Sequence, residues 1–569
     1  PEMELYNDSF RQQSLSLYPN YNTSEKMKTK GLDSKGIFRL LKTLTTIFKE
    51  QRILLPEVLS DTIINDNRFM SRTEALLNIH FPIDAEQLRK AILRIKFDEL
   101  FFIQLRLLHQ KKINQNNIKG NIFSSIGEYF NTFYNEHLPF ELTNAQKRVI
   151  KEIRNDVGSG KQMNRLLQGD VGSGKTVVAL MCMLMAADNG FQCCLMAPTE
   201  ILATQHFQNI SELLSKMSVN TALLTGSTKQ SERKIIVEQL QNGTLHFIIG
   251  THALIEDEVK FKNLGLAIID EQHRFGVEQR FKLWKKNTIP PHILVMTATP
   301  IPRTLAMTLY GDLDVSLIDE LPAGRKPIKT MHVYESNRMR VWGLLKEEIK
   351  KGRQVYIVYP LIEESEKMDF LNLMEGYEII TRDFPLPDYK VSIVHGKMKA
   401  ADKEFEMQRF IRGETNIMVA TTVIEVGVNV PNASVMVIES AVRFGLSQLH
   451  QLRGRVGRGA EQSYCILMTD FKVGPDAKLR MDTMVKTNDG FEISEVDLKL
   501  RGPGNLMGTQ QSGMLNLKLA DLGKDQQILI MARNTAIEIL SDDPKLLKQE
   551  NTLLANELLR IKTTSGNWS

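Results

Sequence analysis

The sequence predicts an α/β protein with two consecutive parallel sheets, and three observations support this fold class. Short, nearly continuous apolar runs follow one another after about residue 140, and helix-like segments separate them. Such runs are typical of parallel strands that are covered on both faces. This alternation of apolar runs and helix-like segments stops at LPAGRKP (321–327) and then resumes, which indicates a second sheet after about residue 325.

Ten apolar runs are predicted to form the strands of these two sheets. The first series contains RLLQG (165–169), QCCLMAP (192–198), LHFIIG (245–250), LGLAIID (264–270) and HILVMTATP (292–300). The second series contains QVYIVYP (354–360), VSIVHG (391–396), NIMVATT (416–422), SVMVIES (434–440) and SYCILM (463–468). The helix-like segments between the runs fit the crossover connections that parallel strands need.

Helical periodicity dominates before the first sheet, from about residue 35 to 110. Within AILRIKFDELFFIQLRLLHQ (91–110), apolar residues fall on one broad face, which predicts a packed amphipathic helix. That face contains Leu93, Phe97, Leu100, Phe101, Leu105 and Leu108. Residues 111–121 (KKINQNNIKGN) are predicted to be a linker. Beyond about residue 475 the chain becomes charged and glycine-rich, and it ends in helical patterning.

Length and composition describe an ordinary multidomain protein. The 569 residues predict roughly three to four domains. Seventy-two basic and 67 acidic residues give a net charge of +5, which is too small to indicate a nucleic-acid partner by itself. No apolar stretch approaches the ~18 residues of a membrane span, and no signal-like segment opens the chain. The first residue is Pro1 rather than Met, which we interpret as a piece of a longer protein.

The four cysteines lie inside apolar runs and lack the spacing of metal ligands or of a disulfide framework. We interpret them as buried free thiols in a reducing cytoplasm, in preference to a metal or disulfide role. They are Cys182, Cys193, Cys194 and Cys465.

The hexapeptide DVGSGK occurs twice, at 156–161 and at 170–175. A phosphate-binding loop needs G-x-x-x-x-G-K-[ST] between a buried strand and a helix, because its glycines turn backbone N–H groups toward the phosphates. Only the second copy meets every term, since LLQ precedes it and a helical segment follows. Its predicted nucleotide-binding residues are Gly169, Asp170, Val171, Gly172, Ser173, Gly174, Lys175 and Thr176.

The first copy of the hexapeptide lacks the residues that define such a loop. Asn155 stands where the leading glycine belongs, and Gln162 stands where a hydroxyl for Mg²⁺ belongs. The preceding KEIRND is typical of a helix end rather than a buried strand. We therefore predict a surface turn that connects a helix to a strand, and a single nucleotide site.

A phosphate loop alone leaves transporters, kinases and motors open, and the carboxylates in LAIIDEQH narrow the choice. Asp270 and Glu271 end a predicted buried strand. One carboxylate there can hold Mg²⁺ through water while the next orients the attacking water. A helix N-cap is the alternative interpretation of the two acids. His273 follows them; a lone histidine is usually structural, but we interpret this one as a link between the nucleotide and another site.

Several motifs in one order carry a family resemblance. DEQH, MTATP (296–300), TTVIEVGVNVP (421–431) and QLHQLRGRVGR (448–458) resemble the ordered motifs of superfamily 2 helicases. More closely, GDVGSGKTVVA, APTEILATQH, DEQHRFGVEQR, MTATPIPRTLAMTLYGDLD and HQLRGRVGRG resemble the RecG family of branched-DNA translocases. The resemblance covers about residues 1–560 and is strongest from about 140 to 520. It implies two tandem RecA-like domains.

The resemblance implies an ATP and Mg²⁺ site with residues in four roles. The adenine-reading segment contains Phe140, Leu142, Thr143 and Gln146. Lys175 and Thr176 engage phosphates and Mg²⁺, while Asp270, partly through water, and Glu271 serve the metal and hydrolysis. The coupling residues are His273, Thr297, Thr299 and Gly427, and the catalytic residues of the second domain are Gln451, Arg455 and Arg458. Arg455 and Arg458 have the family role of arginine fingers, for which structural ion pairing is the alternative.

The resemblance also implies sequence-independent DNA contacts from loops of both domains. APTE (197–200), TGS (225–227), TTVIE (421–425) and TNDGFEISEVDLKLRGPGNLMGTQQSG (487–513) carry them, and the last resembles the family's translocation motif, a helical hairpin and loop. The implied contact residues are Pro198, Thr199, Gly226, Thr421, Thr422, Arg501 and Gln511. Gln510 departs from the family pattern, because a basic residue is expected at that position.

Four segments follow from the resemblance. Residues 1–120 are a helical remnant of the wedge domain, 121–325 and 326–475 are helicase domains 1 and 2, and 476–569 hold the translocation motif and C-terminal helices. The OB-type barrel of the wedge has no room before about residue 30. We therefore expect ATPase activity and duplex binding to be retained and junction specificity to be impaired.

The expected function is an ATP-dependent, DNA-stimulated helicase that remodels stalled forks and Holliday junctions in the bacterial cytoplasm, at the nucleoid. We expect a monomer without membrane association, with branched duplex DNA and a single-strand-binding protein as partners. Two alternatives stay open: a DNA-binding scaffold with ATP as a structural ligand, and a transcription-repair coupling translocase. The second needs an RNA-polymerase-binding module, for which the chain shows no space. An RNA helicase is disfavoured, because such proteins lack the 487–513 segment.

Overall fold

The computed structural model describes most of the chain, in two compact units. The described residues are 19–271, 283, 286–287, 289–298, 301–302, 305–306, 313–322, 326–360, 366–421, 430–457, 459, 461–506 and 517–564. One unit contains Pro1–Ile113 and Met507–Ser569, and the other contains Asn114–Met307 and Leu313–Leu506. Both sheets lie in the second unit.

Within the described residues, five helices lie between residues 19 and 117. They are α1 (Glu25–Lys28), α2 (Ser34–Glu50), α3 (Asp61–Asp66), α4 (Arg72–His80) and α5 (Ala85–Asn117). Side-chain caps determine where several begin: Ser71 and Glu74, for example, form a reciprocal capping box at the start of α4. On the predicted face of α5, Phe97, Leu100, Phe101 and Leu105 are fully buried, whereas Leu93 is 37% exposed.

The prediction of a linker at 111–121 is wrong for its first part, because α5 continues through Asn117. Lys, Gln and Asn in this segment lack a hydrophobic pattern, yet they do not break a helix. The ammonium group of Lys112 also donates a hydrogen bond to the carbonyl of Leu540, which anchors this turn. Tertiary contact therefore extends the helix beyond its apolar stripe.

The first sheet has seven strands in the order β3-β4-β2-β5-β6-β1-β7, and all of its strand pairs are parallel. The strands are β1 (Asn164–Gly169), β2 (Gln192–Met196), β3 (Thr221–Leu224), β4 (Phe247–Gly250), β5 (Leu264–Asp270), β6 (His292–Thr297) and β7 (Asp314–Ile318). The associated helices are α6 (Glu128–Thr132), α7 (Asn144–Val157), α8 (Lys175–Asp188), α9 (Glu200–Leu213) and α10 (Gln230–Asn242), with a π turn at Phe133–His137 and a 3₁₀ turn at His252–Ile255.

The second sheet has six parallel strands in the order β10-β11-β9-β12-β13-β8. Its strands are β8 (Lys329–Tyr334), β9 (Gln354–Tyr359), β10 (Val391–Val394), β11 (Ile417–Thr421), β12 (Ala433–Ile438) and β13 (Tyr464–Thr469). Its helices are α11 (Arg338–Lys350), α12 (Glu366–Asp383), α13 (Ala400–Ile411), α14 (Leu446–Arg453), α15 (Pro475–Lys486) and α16 (Gly490–Leu506), with 3₁₀ turns at Glu335–Asn337 and Ala441–Arg443.

Each face of the second sheet has its own apolar cluster. In β9, Val355 and Ile357 belong to one cluster, whereas Tyr356 and Val358 belong to the other. Successive side chains of a strand point to opposite faces, so a sheet covered on both sides needs an unbroken apolar run. This confirms the predicted fold class of two parallel-sheet domains.

Sequence reasoning missed three strands, β3, β7 and β8. All three lie at sheet edges, and each carries side chains that are only partly buried. Edge strands such as KTMHVY mix apolar and polar residues, because one side of the strand faces solvent or a loop. A search for continuous apolar runs does not find that pattern.

The C-terminal segment forms a unit with the N-terminal helices. It contains α17 (Gln526–Asp542), a 3₁₀ turn at Gln549–Asn551 and α18 (Thr552–Thr564). Glu99 of α5 accepts the backbone N–H groups of residues 518–520 at 2.8–3.0 Å. Lys96 pairs with Asp525 at 2.9 Å. One face of α5 thus holds the start of a segment that is more than 400 residues away in sequence.

The first DVGSGK copy is the connecting turn that its flanking residues predict. Helix α7 ends at Val157, and β1 begins at Asn164. Gly160 adopts a left-handed φ of 74°, and Lys161 forms an isolated antiparallel bridge with Lys119. The segment therefore reverses the chain between a helix and a strand.

His292 gives the first sheet a pH-dependent stability. Its Nδ1 accepts the N–H of Met163 at 2.9 Å, and its Nε2 donates to the carbonyl of Asn121 at 2.7 Å. Burial lowers the pKa of His292 to about 4, because charging the ring there requires desolvation. The folded-state pKa is below the unfolded value of about 6.5, so its stabilisation is complete above that pH and falls toward pH 4.

We expect His292→Gln to reduce the acid sensitivity of the chain. Between pH 7.5 and 5.0, the native chain should lose about 2 kcal/mol more unfolding free energy than the variant. Urea unfolding followed by circular dichroism measures this difference. His252→Gln, at an exposed position of the same domain, is the matched control and should leave the pH dependence unchanged. Equal losses for the native chain and His292→Gln would contradict the assignment.

Candidate nucleotide-binding site

Parallel pairing brings the predicted site residues to one edge of the first sheet. Asp270, the last residue of β5, pairs in register with Met296 of β6. Gln168 of β1 pairs with Thr297, the last residue of β6. The loop after β1 therefore begins two strands away from Asp270, or about 10 Å across the sheet. This is the edge at which open α/β sheets bind their ligands.

The loop after β1 has the backbone that phosphate binding needs. Gly172 and Gly174 adopt left-handed φ values of 76° and 85°, and α8 begins at Lys175. The positive φ of Gly174 favours glycine, and a Cβ atom there would also lie 2.2 Å from Nε2 of Gln146. The first N–H groups of a helix have no partner within the helix, and its N-terminus is the positive end of the dipole, so this position favours an anion.

Two side chains in the loop also fit a phosphate ligand. The ammonium group of Lys175 donates to the carbonyls of Gly169 and Asp170 at 2.8 and 2.9 Å. Ser173 Oγ is buried and meets no hydrogen-bond partner among the residues that the structure describes. Phosphate oxygens would accept hydrogen bonds from both groups, the ammonium of Lys175 and the buried hydroxyl of Ser173.

The predicted adenine segment braces the loop in this structure. Thr143 and Gln146 form a reciprocal capping box at the start of α7. Gln146 is buried, its Oε1 accepts the N–H of Thr143, and its Nε2 donates to the carbonyl of Ser173 at 2.9 Å. Leu142 is buried and Phe140 is exposed. Contact of the Gln146 amide with a base would require it to exchange these partners.

Asp270 is buried and ionised. Its Oδ2 lies 2.8 Å from Nε2 of His206 in α9, and its Oδ1 accepts the N–H of Glu271 at 3.1 Å. Burial alone would raise the pKa of this carboxyl group. The hydrogen bond with His206 and the charge of Lys175 outweigh burial, so the pKa of Asp270 is lowered. An ionised carboxylate suits Mg²⁺, which prefers oxygen ligands.

Glu271 has the opposite electrostatics. Burial and the neighbouring charge of Asp270 raise its pKa to about 7, against the opposing effects of Lys175, the Ala298 N–H group and Arg455. Its Oε1 accepts that N–H group at 3.3 Å, and its φ of 53° is left-handed. A strained, buried carboxylate of perturbed pKa is characteristic of active sites. The alternative as a helix cap concerns residues 272–282, which lie outside the described residues.

The second domain reaches the same site through α14 and the turn that follows it. Nε2 of His450 in α14 lies 2.5 Å from Oδ1 of Asp170 in the loop. Arg455 lowers the pKa of Glu271 through its charge. Gln451 and Arg455 are half-buried. The structure thus brings the loop and His450 together, and it places Arg455 near enough to Glu271 for the arginine charge to act on that carboxyl group.

Two histidines of the site, His206 and His450, were missed by sequence reasoning. Each stands inside a quoted motif, APTEILATQH and QLHQLRGRVGR, respectively. A lone histidine carries no periodic or spacing signal that separates an ion-pair partner from a structural ring. Only the folded chain shows that each binds an aspartate of the nucleotide site.

The predicted DNA-contact loops of the first domain are linked to each other. Glu200 accepts the N–H and the hydroxyl of Ser227 at 3.1 and 2.9 Å. Thr199 caps α9 by accepting the N–H of Leu202 at 3.3 Å. Pro198, Thr199 and Gly226 therefore lie in two adjoining loops. Thr421 is buried at the end of β11, in the second sheet.

Helix α16, within the predicted translocation segment, packs beside α14. Ser447 of α14 donates to Asp497 of α16 at 2.9 Å. Arg453 donates to the carbonyls of Met484, in the last turn of α15, and of Thr487, just after that helix. The two helices are separated by residues 487–489 only, as in a helical hairpin. Helix α16, the described part of the predicted segment, thus contacts the helix that carries His450, and the hairpin at 487–513 stays a prediction.

Several predicted site residues lie outside the described residues. They are His273, Thr299, Thr422, Gly427, Arg458 and Gln511, and Gln510 lies there as well. Arg501 belongs to α16, but its side chain is also outside the described part. Their predicted roles stay predictions. Thr297, by contrast, is described and is buried at the end of β6.

Three family comparisons cover most of the two-sheet unit and the C-terminal segment. Residues 143–308 match DEAD/DEAH box helicases, and residues 340–460 match the helicase conserved C-terminal domain. Residues 487–569 match the C-terminal part of domain 3 of the ATP-dependent DNA helicase RecG.

Comparison with whole relatives decides the family. The chain is 45% identical over 555 residues to the ATP-dependent DNA helicase RecG of Bacillus subtilis, which covers 98% of this chain and 80% of the relative. The chain belongs to the RecG family. The RecG of Synechocystis sp. is 48% identical over 495 residues, or 85% of this chain. The chain spans 59% of the length of that relative.

A solved RecG structure shares the fold. That protein, bound to a three-way DNA junction, is 42% identical and superposes with a TM-score of 0.67, over 86% of this RecG-family chain and 64% of the solved one. Within the described residues of our chain, no helix is long and apolar enough to cross a membrane. No cluster of three or more His, Cys, Asp or Glu side chains there could hold a metal ion.

The two DVGSGK copies give a matched pair of variants. We expect Lys175→Ala to abolish ATP binding and Lys161→Ala to leave ATP affinity within about twofold, because only Lys175 lies at a helix N-terminus beside both carboxylates. Titration with a fluorescent ATP analogue measures both affinities. Comparable weakening by the two substitutions would show that both copies contact nucleotide.

Proposed function

We propose that this RecG-family chain is an ATP-dependent, DNA-stimulated translocase that moves on duplex DNA and remodels branched DNA. The observation that carries the proposal is the joint site. The loop and carboxylates of one sheet meet His450 and Arg455 of the other sheet's domain. The relatives named ATP-dependent DNA helicase RecG and the solved RecG on a three-way junction support the substrate class.

Hydrolysis in this site follows from the charges of the residues. Lys175 and the N–H groups at the start of α8 would hold the phosphates, and Thr176 and ionised Asp270 would hold Mg²⁺, partly through water. Mg²⁺ held there would offset negative charge on the phosphates. Glu271 orients the attacking water. Arg455, with Arg458, stabilises the charge that develops on the γ-phosphate; fingers of this kind contribute about 10³–10⁵ in rate.

Movement follows from the position of the site between two domains. ATP binding closes the cleft and hydrolysis reopens it, so DNA across both domains is gripped alternately. Pro198, Thr199 and Gly226 contact one stretch of backbone, while the loop that follows buried Thr421 and begins with Thr422 contacts the next. The two DNA-contact loops of the first domain are held together by the hydrogen bonds that Ser227 donates to Glu200. His273, Thr297, Thr299 and Gly427 couple hydrolysis to this motion.

We propose four segments with separate tasks. Residues 121–325 and 326–475 form the two motor domains, 476–569 pull on duplex DNA through Arg501 and Gln511, and 1–120 belong to the wedge. The chain acts as a monomer in the bacterial cytoplasm, on forks and Holliday junctions, beside a single-strand-binding protein. Phe140, Leu142, Thr143 and Gln146 adjoin the adenine.

ATP hydrolysis with different nucleic acids tests this proposal. We expect strong stimulation by a synthetic fork or junction, less by plain duplex and little by RNA. The reason is that the proposed loop contacts are made to the backbone of duplex DNA at a branch point. Steady-state phosphate release with no nucleic acid, single-stranded DNA, duplex, fork and RNA measures the order. Lys175→Ala should abolish turnover on every substrate.

The rival functions predict other outcomes of the same assay. A scaffold that uses ATP as a structural ligand would bind the fork without turnover. An RNA helicase would respond most to RNA. Equal stimulation by fork and plain duplex would show that this chain has lost junction specificity, whereas no stimulation by any DNA would contradict the translocase assignment.

A further inference from the structure

One hydrogen bond between side chains ties the phosphate loop to the second domain. His450 is buried, and its Nε2 lies 2.5 Å from Oδ1 of Asp170. The same oxygen accepts the N–H of Val171 at 2.6 Å. Asp170 is the first residue of the loop after Gly169, so the bond holds the point where the chain leaves β1.

Arg453 fixes the proton position of His450. Its guanidinium group donates to Nδ1 of His450 at 2.9 Å. A guanidinium group has no acceptor, so Nδ1 must accept and the ring carries its proton on Nε2. Arg453 is itself fully buried and anchored to the carbonyls of Met484 and Thr487. His450 is therefore an oriented donor aimed at Asp170.

Close backbone approach beside this bond is a second, independent observation. A Cβ atom on Gly454 would lie 2.7 Å from Cβ of Val171. Real Cβ atoms do not approach other atoms so closely, so glycine is required where α14 ends. The loop and α14 thus meet through both packing and a hydrogen bond.

We propose that His450 is a positioning residue that holds the phosphate loop in its nucleotide-binding shape, an inference that rests on the proposed ATP-dependent function. The backbone carbonyl of Asp170 is one of the two that orient Lys175. A bond that fixes the Asp170 side chain therefore also fixes the lysine. A preorganised loop loses less conformational entropy when a ligand binds, so His450 increases ATP affinity without contacting ATP.

Steady-state ATP hydrolysis by His450→Leu on fork DNA tests the inference. We expect KM for ATP to rise about tenfold, the usual effect of losing a hydrogen bond to a charged group, with kcat within about twofold. His450→Gln retains a donor near Nε2 and should bring KM back to within about threefold of the native value. His332→Leu removes another histidine bond of the second sheet, to Thr469, and should leave KM unchanged.

A double substitution separates positioning from general destabilisation. Asp170→Ala should raise KM as His450→Leu does, and the pair together should raise it no further. If the effects of Asp170→Ala and His450→Leu on KM multiply in the double variant, the inference is wrong. An unchanged KM in His450→Leu, or a loss in kcat alone, would also overturn it. If His450→Leu does not fold, Gly454→Ala tests the same contact and should also raise KM. An inactive native chain would instead contradict the proposed function.

Discussion

Parallel strand pairing determines where the predicted site residues of both sheets lie. Every pair in both sheets is parallel, so all strands of a sheet end at one edge. Residues that are distant in sequence, such as Gly169, Asp270 and Thr297, therefore lie within a few strands of one another. The loops that leave this edge lie outside the hydrogen bonding between the strands. They can therefore contain glycines, acidic residues and helix-capping residues without weakening the core.

The site's electrostatics follow from burying two adjacent carboxylates. Asp270 is stabilised as an anion by His206 and Lys175, and its charge, with burial, raises the pKa of Glu271. Two acids beside each other thus differ in their protonation, which is how one site obtains two roles from similar groups. Arg455 contributes a positive charge from the second domain that lowers the pKa of Glu271. The protonation of Glu271 therefore depends on how the two domains meet.

The sequence predicted most of the fold and the core of the site, because those features have local signals. Apolar runs predicted the buried strands, and the residues that flank each DVGSGK predicted which copy follows a strand. Edge strands β3, β7 and β8 lack a continuous run. Helix α5 exceeds its apolar stripe because Lys112 is anchored by the carbonyl of Leu540. Contacts across the chain have no local signal: His450 and Asp170 are 280 residues apart.

Gln146 has contacts that its motif did not indicate. The family resemblance implies contact with a base, which stays a prediction; in the structure the buried amide bridges the cap of α7 and the phosphate loop. The type of a residue and its motif predict where the side chain lies in the fold. Its hydrogen-bond partners depend on the neighbours that pack around it. The same is true of Glu200, which links two loops that the sequence places separately.

We propose that the second domain completes the hydrolytic site of the first. The single-turnover hydrolysis rate of Arg455→Ala on fork DNA, with ATP affinity measured in parallel, tests this proposal. We expect the rate to fall roughly 10³-fold or more while affinity changes little, because Arg455 acts on charge that develops during reaction. A native hydrolysis rate in this variant would contradict a site shared between the two sheets.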